Sequence, residues 1–183
     1  MGRKICGLLI VTGIIILNSC SGNGGKKTET TAPVKNKIVQ AQDGSISLKV
    51  EKADCYQDAQ NPSSNTAEWS VKVSKSGRFN VWLSSATKDT TDLKYNNSVM
   101  LNFLDNRIVA NPSPDKIIRN SGDVAYPYFR ADSFLGSLYI QDTGLFNIQV
   151  ISEKIIPKNV SDGPVADSEN SKLLSVLLTP ISK

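Results

Sequence analysis

Histidine is absent from the 183 residues. Its absence excludes Ser-His-Asp and Cys-His catalysis, His-ligated zinc and the usual proton shuttle near neutral pH. Cysteine is scarce as well: Cys6, Cys20 and Cys55 form no CxxC pair, and two of the three fall in the first 20 residues. Cys55 is thus alone in the remainder, which rules out an intramolecular disulfide framework there, and it reads as a small, partly buried apolar residue. No apolar stretch in the N-terminal region is long enough to span a bilayer: the run over residues 5–17 has 13 residues, against the roughly 20 a spanning helix needs. Charge of one sign is also missing. The formal +4 comes from Arg3, Lys4, Lys26, Lys27, Lys35 and Lys37; with these and Glu29 set aside, 15 basic residues face 16 acidic ones. No basic footprint for nucleic acid remains. Nor is there a Gly-rich phosphate loop, a nucleophile elbow, a metal-ligand cluster or a carboxylate pair that stands out as acid and base. A non-catalytic domain without cofactor or metal is expected.

What is present begins with a leader. Arg3 and Lys4 precede the apolar run, and Asn18-Ser19-Cys20 ends it, the pattern of a secretion signal. Leu17-Asn18-Ser19-Cys20 resembles the bacterial lipobox, with a branched apolar residue three before the cysteine and a small residue one before it. The resemblance implies cleavage before Cys20 and acylation of its thiol, with several acyl chains giving stable anchoring in the bilayer. Residues 21–37 are rich in Gly, Lys, Thr and Asn and have little to bury, so they read as a flexible tether. The expected organisation is a signal over residues 1–19, a lipidated cysteine and tether over 20–37, and one domain over 38–183.

In that domain apolar and polar residues alternate with the period of a half-buried strand, and helical periodicity is nearly absent. Trp69, Val71 and Val73 alternate with Ser70 and Lys72; Phe79, Val81 and Leu83 alternate with Asn80 and Trp82; the intervening Ser74-Lys75-Ser76-Gly77 suggests a hairpin. The pattern recurs at Val99, Leu101 and Phe103 and at Phe146, Ile148 and Val150, and the run over 173–178 is apolar on both faces, as in a central or terminal strand. Adding residues 38–41, 46–50, 108–110, 125–129 and 138–140 gives about ten short strands, hence an all-β antiparallel sandwich. Polar loops over 58–66, 87–97, 111–123 and 157–171 are long for hairpin connections, and such loops often carry function.

Trp69-x-Val71-x-Val73 with Gly77-x-Phe79-x-Val81-x-Leu83, then Leu135-Gly136-x-Leu138-x-Ile140-x3-Gly144-x-Phe146-x-Ile148-x-Val150, then Leu174-x-Val176-x-Leu178-x-Pro180, resembles the galactose-binding-like jelly roll, in particular carbohydrate-binding modules of families 6 and 35 and related accessory domains of bacterial glycosidases. The resemblance covers about residues 40–180 and implies a glycan as partner. It departs at Gln40-Ala41-Gln42, where the family often has an acidic pair that helps ligate a structural calcium; amides lack the charge for that role, although Asp43 is adjacent.

The ligand-binding candidates are aromatic. Trp69 shares a face with Val71 and Val73 and belongs to the core. Trp82 is out of phase with Phe79, Val81 and Leu83 and points to the other face, where it either stacks on a sugar or is covered by a loop. Tyr126 and Tyr128, two apart and next to Arg130, suit a pyranose if they share one side of an extended segment; the other reading is a packed strand with Tyr128 inward. Tyr56 and Tyr95 are weaker candidates. The expectation is a glycan-binding lipoprotein of the cell envelope, held in the outer membrane and facing the periplasm or the exterior. The alternative is a structural or protein-interaction module of an envelope complex.

Overall fold

The computed structural model describes residues 37–156 and 171–181. The leader, Cys20, the tether up to residue 36 and residues 157–170 of the last predicted loop lie outside the described residues. Eleven strands run in chain order as β1 (Ile38–Val39), β2 (Ile46–Lys49), β3 (Asp54–Tyr56), β4 (Thr66–Val73), β5 (Gly77–Thr87), β6 (Val99–Phe103), β7 (Asn106–Ala110), β8 (Lys116–Ile118), β9 (Phe129–Ile140), β10 (Gly144–Ile151) and β11 (Ser171–Pro180). Among the described residues the only helical pieces are two 3-10 turns, at Val50–Lys52 and Pro62–Ser64.

The strands form a sandwich of two sheets. One has six strands in the order β1-β4-β10-β6-β7, with β3 also paired to β4; the other has five in the order β2-β11-β5-β9-β8. All pairings are antiparallel except β1 with β4. The all-β antiparallel sandwich expected from the alternation is thus the fold. The inward residues of β4 (Ala67, Trp69, Val71, Val73), β6 (Val99, Leu101, Phe103) and β10 (Ile148, Val150) meet those of β5 (Phe79, Val81, Leu83), β2 (Ile46, Leu48) and β11 (Val176, Leu178) in one hydrophobic core. Trp69 is buried as expected, and its indole Nε1 donates to Lys49 O at 2.8 Å, so the one polar atom of the ring is satisfied.

Two local expectations are corrected and a third is refined. The stretch from Trp69 to Leu83 is not a hairpin: β4 pairs with β1, β3 and β10, whereas β5 pairs with β11 and β9. Alternation is identical for a hairpin and for a corner between two facing sheets, so the pattern alone does not separate them. Gly77, at φ +151, takes the chain through that corner. Second, residues 125–128 form a turn, closed by Tyr128 N donating to Ala125 O at 3.0 Å and containing a cis Tyr126-Pro127 bond; the strand starts at Phe129. Third, the apolar run over 173–178 is a central strand, but Leu174 is the extra residue of a bulge, since Leu173 pairs with Ser85 and Ser175 with Ser84.

Candidate functional site

The outer face of the five-stranded sheet is set by two bulges. On β9, Gly136 pairs with Val81 and Phe134 with Trp82, leaving Leu135 as an extra residue. Counting back by twos from the inward Ile140 and Leu138 would aim position 134 at the core. The bulge reverses the phase, so Leu135 is buried and Phe134 turns outward with 45% of its surface exposed. Gly136 sits at φ +138, a backbone conformation that side chains beyond glycine rarely adopt. Trp82 is half-buried, and its ring lies 5.2 Å from that of Phe134 at 54°. On the other side Trp82 pairs with Leu177 of β11. Leu177, Trp82 and Phe134 therefore form an apolar row across three strands. The next row is polar: Asn80 pairs with Ser137, whose Oγ donates to Asn80 Oδ1 at 2.8 Å, and with Thr179.

The other half of this face is covered. Ser84 and Ala86 have the same outward phase as Trp82 but are only 2% and 0% exposed. The loop of residues 119–128 is fastened to this half by an ion network. Arg130 grips Asp132 bidentately, Nε to Oδ1 at 2.8 Å and Nη2 to Oδ2 at 3.1 Å, and its Nη1 donates to Asp123 Oδ2 in the loop at 2.8 Å. Ser84 Oγ donates to Asp132 Oδ1 at 2.7 Å. Asp123 also faces Lys49 Nζ on β2 at 3.8 Å, so the loop reaches across the sheet from β9 to β2. The hydrogen bond to Asp132, followed by the Asp132 charge and the contact with Asp123, raises the Arg130 pKa further above its ordinary value.

The four candidates therefore stand as follows. Trp82 and Arg130 lie on one face, four residues apart along the strands, about 13 Å. Tyr126 is on the covering loop and is 93% exposed. Tyr128 is half-buried with the Lys88 ammonium 5.2 Å from its ring centre. The turn separates the two tyrosines, so they do not share one side of an extended segment. Arg130 directs three of its N–H groups to carboxylates, which makes it the fastener of the loop. Tyr95 is packed against the core, where its hydroxyl meets Ser85 Oγ at 2.8 Å and burial pushes its pKa up; Tyr56 is exposed on β3. Sequence reasoning missed Phe134 and Leu177. The available signals were a glycine within a strand pattern, which often marks a bulge, and an apolar run too dense for one face.

Gln40, where the family resemblance raised the question of calcium, is buried and saturated. Its Oε1 accepts from Ser74 N at 2.9 Å, Ser74 Oγ at 3.1 Å and Lys75 N at 2.7 Å, while its Nε2 donates to Gly44 O at 2.7 Å and Lys75 O at 3.2 Å. An amide meets both needs at once, donors toward two carbonyls and acceptor toward two amides, and ties β1 to the corner between the sheets. Asp43 bonds Ser45 instead, and these bonds lower its pKa.

No family model matches the chain, and no curated protein matches it. Among solved structures, an α-L-fucosidase from Vibrio sp. strain EJY3 is similar with a TM-score of 0.61 and 17% identity, over 79% of this chain and 24% of that one. A GH26-CBM35 β-(1,4)-mannanase from Podospora anserina is similar with a TM-score of 0.45 and 10% identity, over 78% of this chain and 29% of that one. The chain thus spans about a quarter of the length of these proteins. What the fucosidase shares with this chain is the β-sandwich fold.

Proposed function

We propose that the protein is a non-catalytic glycan-binding lipoprotein of the bacterial cell envelope, anchored through an acylated Cys20 in the outer membrane. The observation that carries the glycan reading is the row Leu177, Trp82 and Phe134, an apolar strip bordered by Asn80 and Ser137, with the exposed Tyr139 beyond them on the same face. A pyranose has the matching chemistry, with C–H bonds on one ring face and hydroxyls at its rim. Stacking on a tryptophan contributes on the order of 1 kcal/mol, and a few hydrogen bonds add a similar amount each. An affinity between about 1 mM and 10 μM follows. Such a site suits a surface on which many anchored copies meet one polymer. That a similar sandwich forms part of an α-L-fucosidase agrees with a role near sugars.

Affinity electrophoresis of the full chain in gels containing soluble polysaccharides tests the reading. Retardation that is reduced in Trp82→Ala supports it; a variant that stays folded and migrates like the wild type in every gel means that this face serves a protein partner or none. Anchoring is tested separately. Cys20→Ala should release the protein from membranes, and an intact mass showing an unmodified Cys20 would refute acylation.

A further inference from the structure

The six-stranded sheet has an outer face of a different kind. β6 ends at Phe103, opposite Ile148, and the chain turns away through Leu104, at φ +50, into β7. The first residues of β10 are thereby left without a neighbour on the β6 side, and a shallow groove of about 500 Å³ opens there, lined by Asn102, Leu104, Leu145, Phe146, Asn147 and Gln149. Leu104 and Leu145, 58% and 49% exposed, provide apolar surface; Phe146 is held edge-on to the core Phe103, ring centres 5.6 Å apart. The other three lining residues are carboxamides. Among the described residues, no charged side chain lines the groove.

The orientation of two of these amides is fixed from behind. Glu68 of β4 stands opposite Gln149 in register, accepting from Asn147 Nδ2 at 3.2 Å and from Gln149 Nε2. An ionised carboxylate only accepts, so it draws the NH2 end of each amide toward β4. The carbonyl oxygens of Asn147 and Gln149, both groove-lining residues, are thereby left as acceptors that Glu68 does not use.

We infer that this groove is a second glycan site, separate from the Trp82 face, that takes an uncharged, hydroxyl-rich sugar, and that Glu68 is the positioning residue that gives it acceptor polarity. The inference rests on the glycan reading above for the class of ligand but not on Trp82 for the site. Hydroxyl groups donate into the amide oxygens while C–H surface lies on Leu104 and Leu145. Lys72 and Arg107 stand in register with Leu145 and Asn102 but outside the lining, exposed, where single charges contribute little. The two faces are separated by the thickness of the sandwich, with sheets about 10 Å apart, so they engage two chains or two stretches of one polymer.

The test uses the full chain in detergent, run in native gels containing xylan, β-mannan or mixed-linkage β-glucan as neutral probes and polygalacturonate as the acidic one. Asn147→Ala/Gln149→Ala should weaken retention on a neutral polymer about tenfold, also in a Trp82→Ala background, with the thermal midpoint unchanged. Glu68→Gln, which satisfies the amides in either orientation, should weaken it about threefold without loss of stability. Should the double variant fold poorly, Leu145→Glu at the exposed wall should give the same loss. Wild-type affinity in the folded variants, with binding lost in Trp82→Ala, overturns this site and leaves the Trp82 reading standing. Loss in the groove variants with none in Trp82→Ala does the reverse. Retention on polygalacturonate alone overturns the uncharged ligand, and no retention on any polymer overturns both sites.

Discussion

The two outer faces of the sandwich solve the same problem, what to place on a solvated sheet, with opposite chemistry. On the five-stranded sheet three strands contribute Leu177, Trp82 and Phe134 to one apolar row, and the polar groups nearby are consumed by a partly buried network that fastens a loop. On the six-stranded sheet the carboxylate Glu68 spends its acceptors on the NH2 groups of two amides and so leaves their oxygens as unused acceptors beside the groove. Charge thus has two different uses here. Where Asp132 is only 11% exposed at the side chain, its partnership with Arg130 is structural; where Glu68 is accessible, its partnership sets which way other groups point. The lesson is that an acidic residue on a sheet face is interpretable only through what it receives and how far it is desolvated.

The largest effect expected from breaking this contrast is in stability. Asp132→Ala removes the acceptor for two Arg130 bonds and for Ser84 and leaves a guanidinium partly desolvated beside the loop. A loss of about 3 kcal/mol is expected. Glu68→Ala, on the exposed face, should cost under about 1 kcal/mol. Urea denaturation of both variants measures the difference, and equal losses would mean that the two networks are not distinct in kind.

A smaller effect is expected at the aromatic row. Trp82 rests on Phe134 and Leu177 but points away from the core, so Trp82→Ala should lower stability by about 1 to 1.5 kcal/mol while removing most glycan retention. Phe134→Ala should reproduce both changes in weaker form. A loss of 3 kcal/mol or more, the range of core aromatic truncations, would place Trp82 functionally in the core and remove the distinction between it and Trp69.

How much of this was legible depends on how far each signal reaches along the chain. The alternation at Phe79, Val81 and Leu83 is local, and it correctly turns Trp82 outward, because β5 carries no bulge of its own between those residues. Phe134 was not legible, because its phase depends on one inserted residue, Leu135, whose presence is a property of the pairing of β9 with β5. The same holds for Leu174 in β11. The extended reading of residues 125–129 failed for a different reason: Tyr-Pro-Tyr-Phe is rich in strand-forming aromatics, but Pro127 has no N–H for a ladder, and the segment closes as a turn. The short strands β3 and β8 have three residues each, too few to show a period. The groove left no signature, since Asn147 and Gln149 at alternate positions look like any solvated strand face; their direction comes from Glu68, 79 and 81 residues earlier. Gln40, by contrast, was legible as a departure from a calcium-ligating pattern, and its five hydrogen bonds give that departure a structural purpose. Accordingly, Gln40→Ala should cost about 1 to 2 kcal/mol by leaving Ser74 N, Lys75 N and Gly44 O to find other partners, and added calcium should not move the wild-type thermal midpoint.

The smallest effect concerns acid, and it separates the faces from the loops at the ends of the sandwich. Asp89 accepts from Thr91 Oγ1 and N, and Asp92 from Lys94 Nζ and N; these bonds hold both carboxyls below the ordinary value of 3.8. Groups whose folded value is depressed contribute stability above their unfolded value and lose it as the pH falls through the folded one. The contribution of this loop is therefore complete at neutral pH and disappears below pH about 4. Lys94 has the opposite sign: its partner Asp92 raises it, so its contribution is present at neutral pH and is lost only as the pH rises through its folded value, above 10.5. Asp92 is exposed and Asp89 half-buried, so the expected change is a shallow fall of the thermal midpoint on acidification, less steep in Asp92→Asn than in the wild type. With the groove removed in Asn147→Ala/Gln149→Ala, retention on a neutral polymer should persist through the same range, because the aromatic row has no group to titrate. A wild-type slope in Asp92→Asn would show that the acid sensitivity arises elsewhere, and binding that decayed in step with the midpoint would tie the loop to one of the faces.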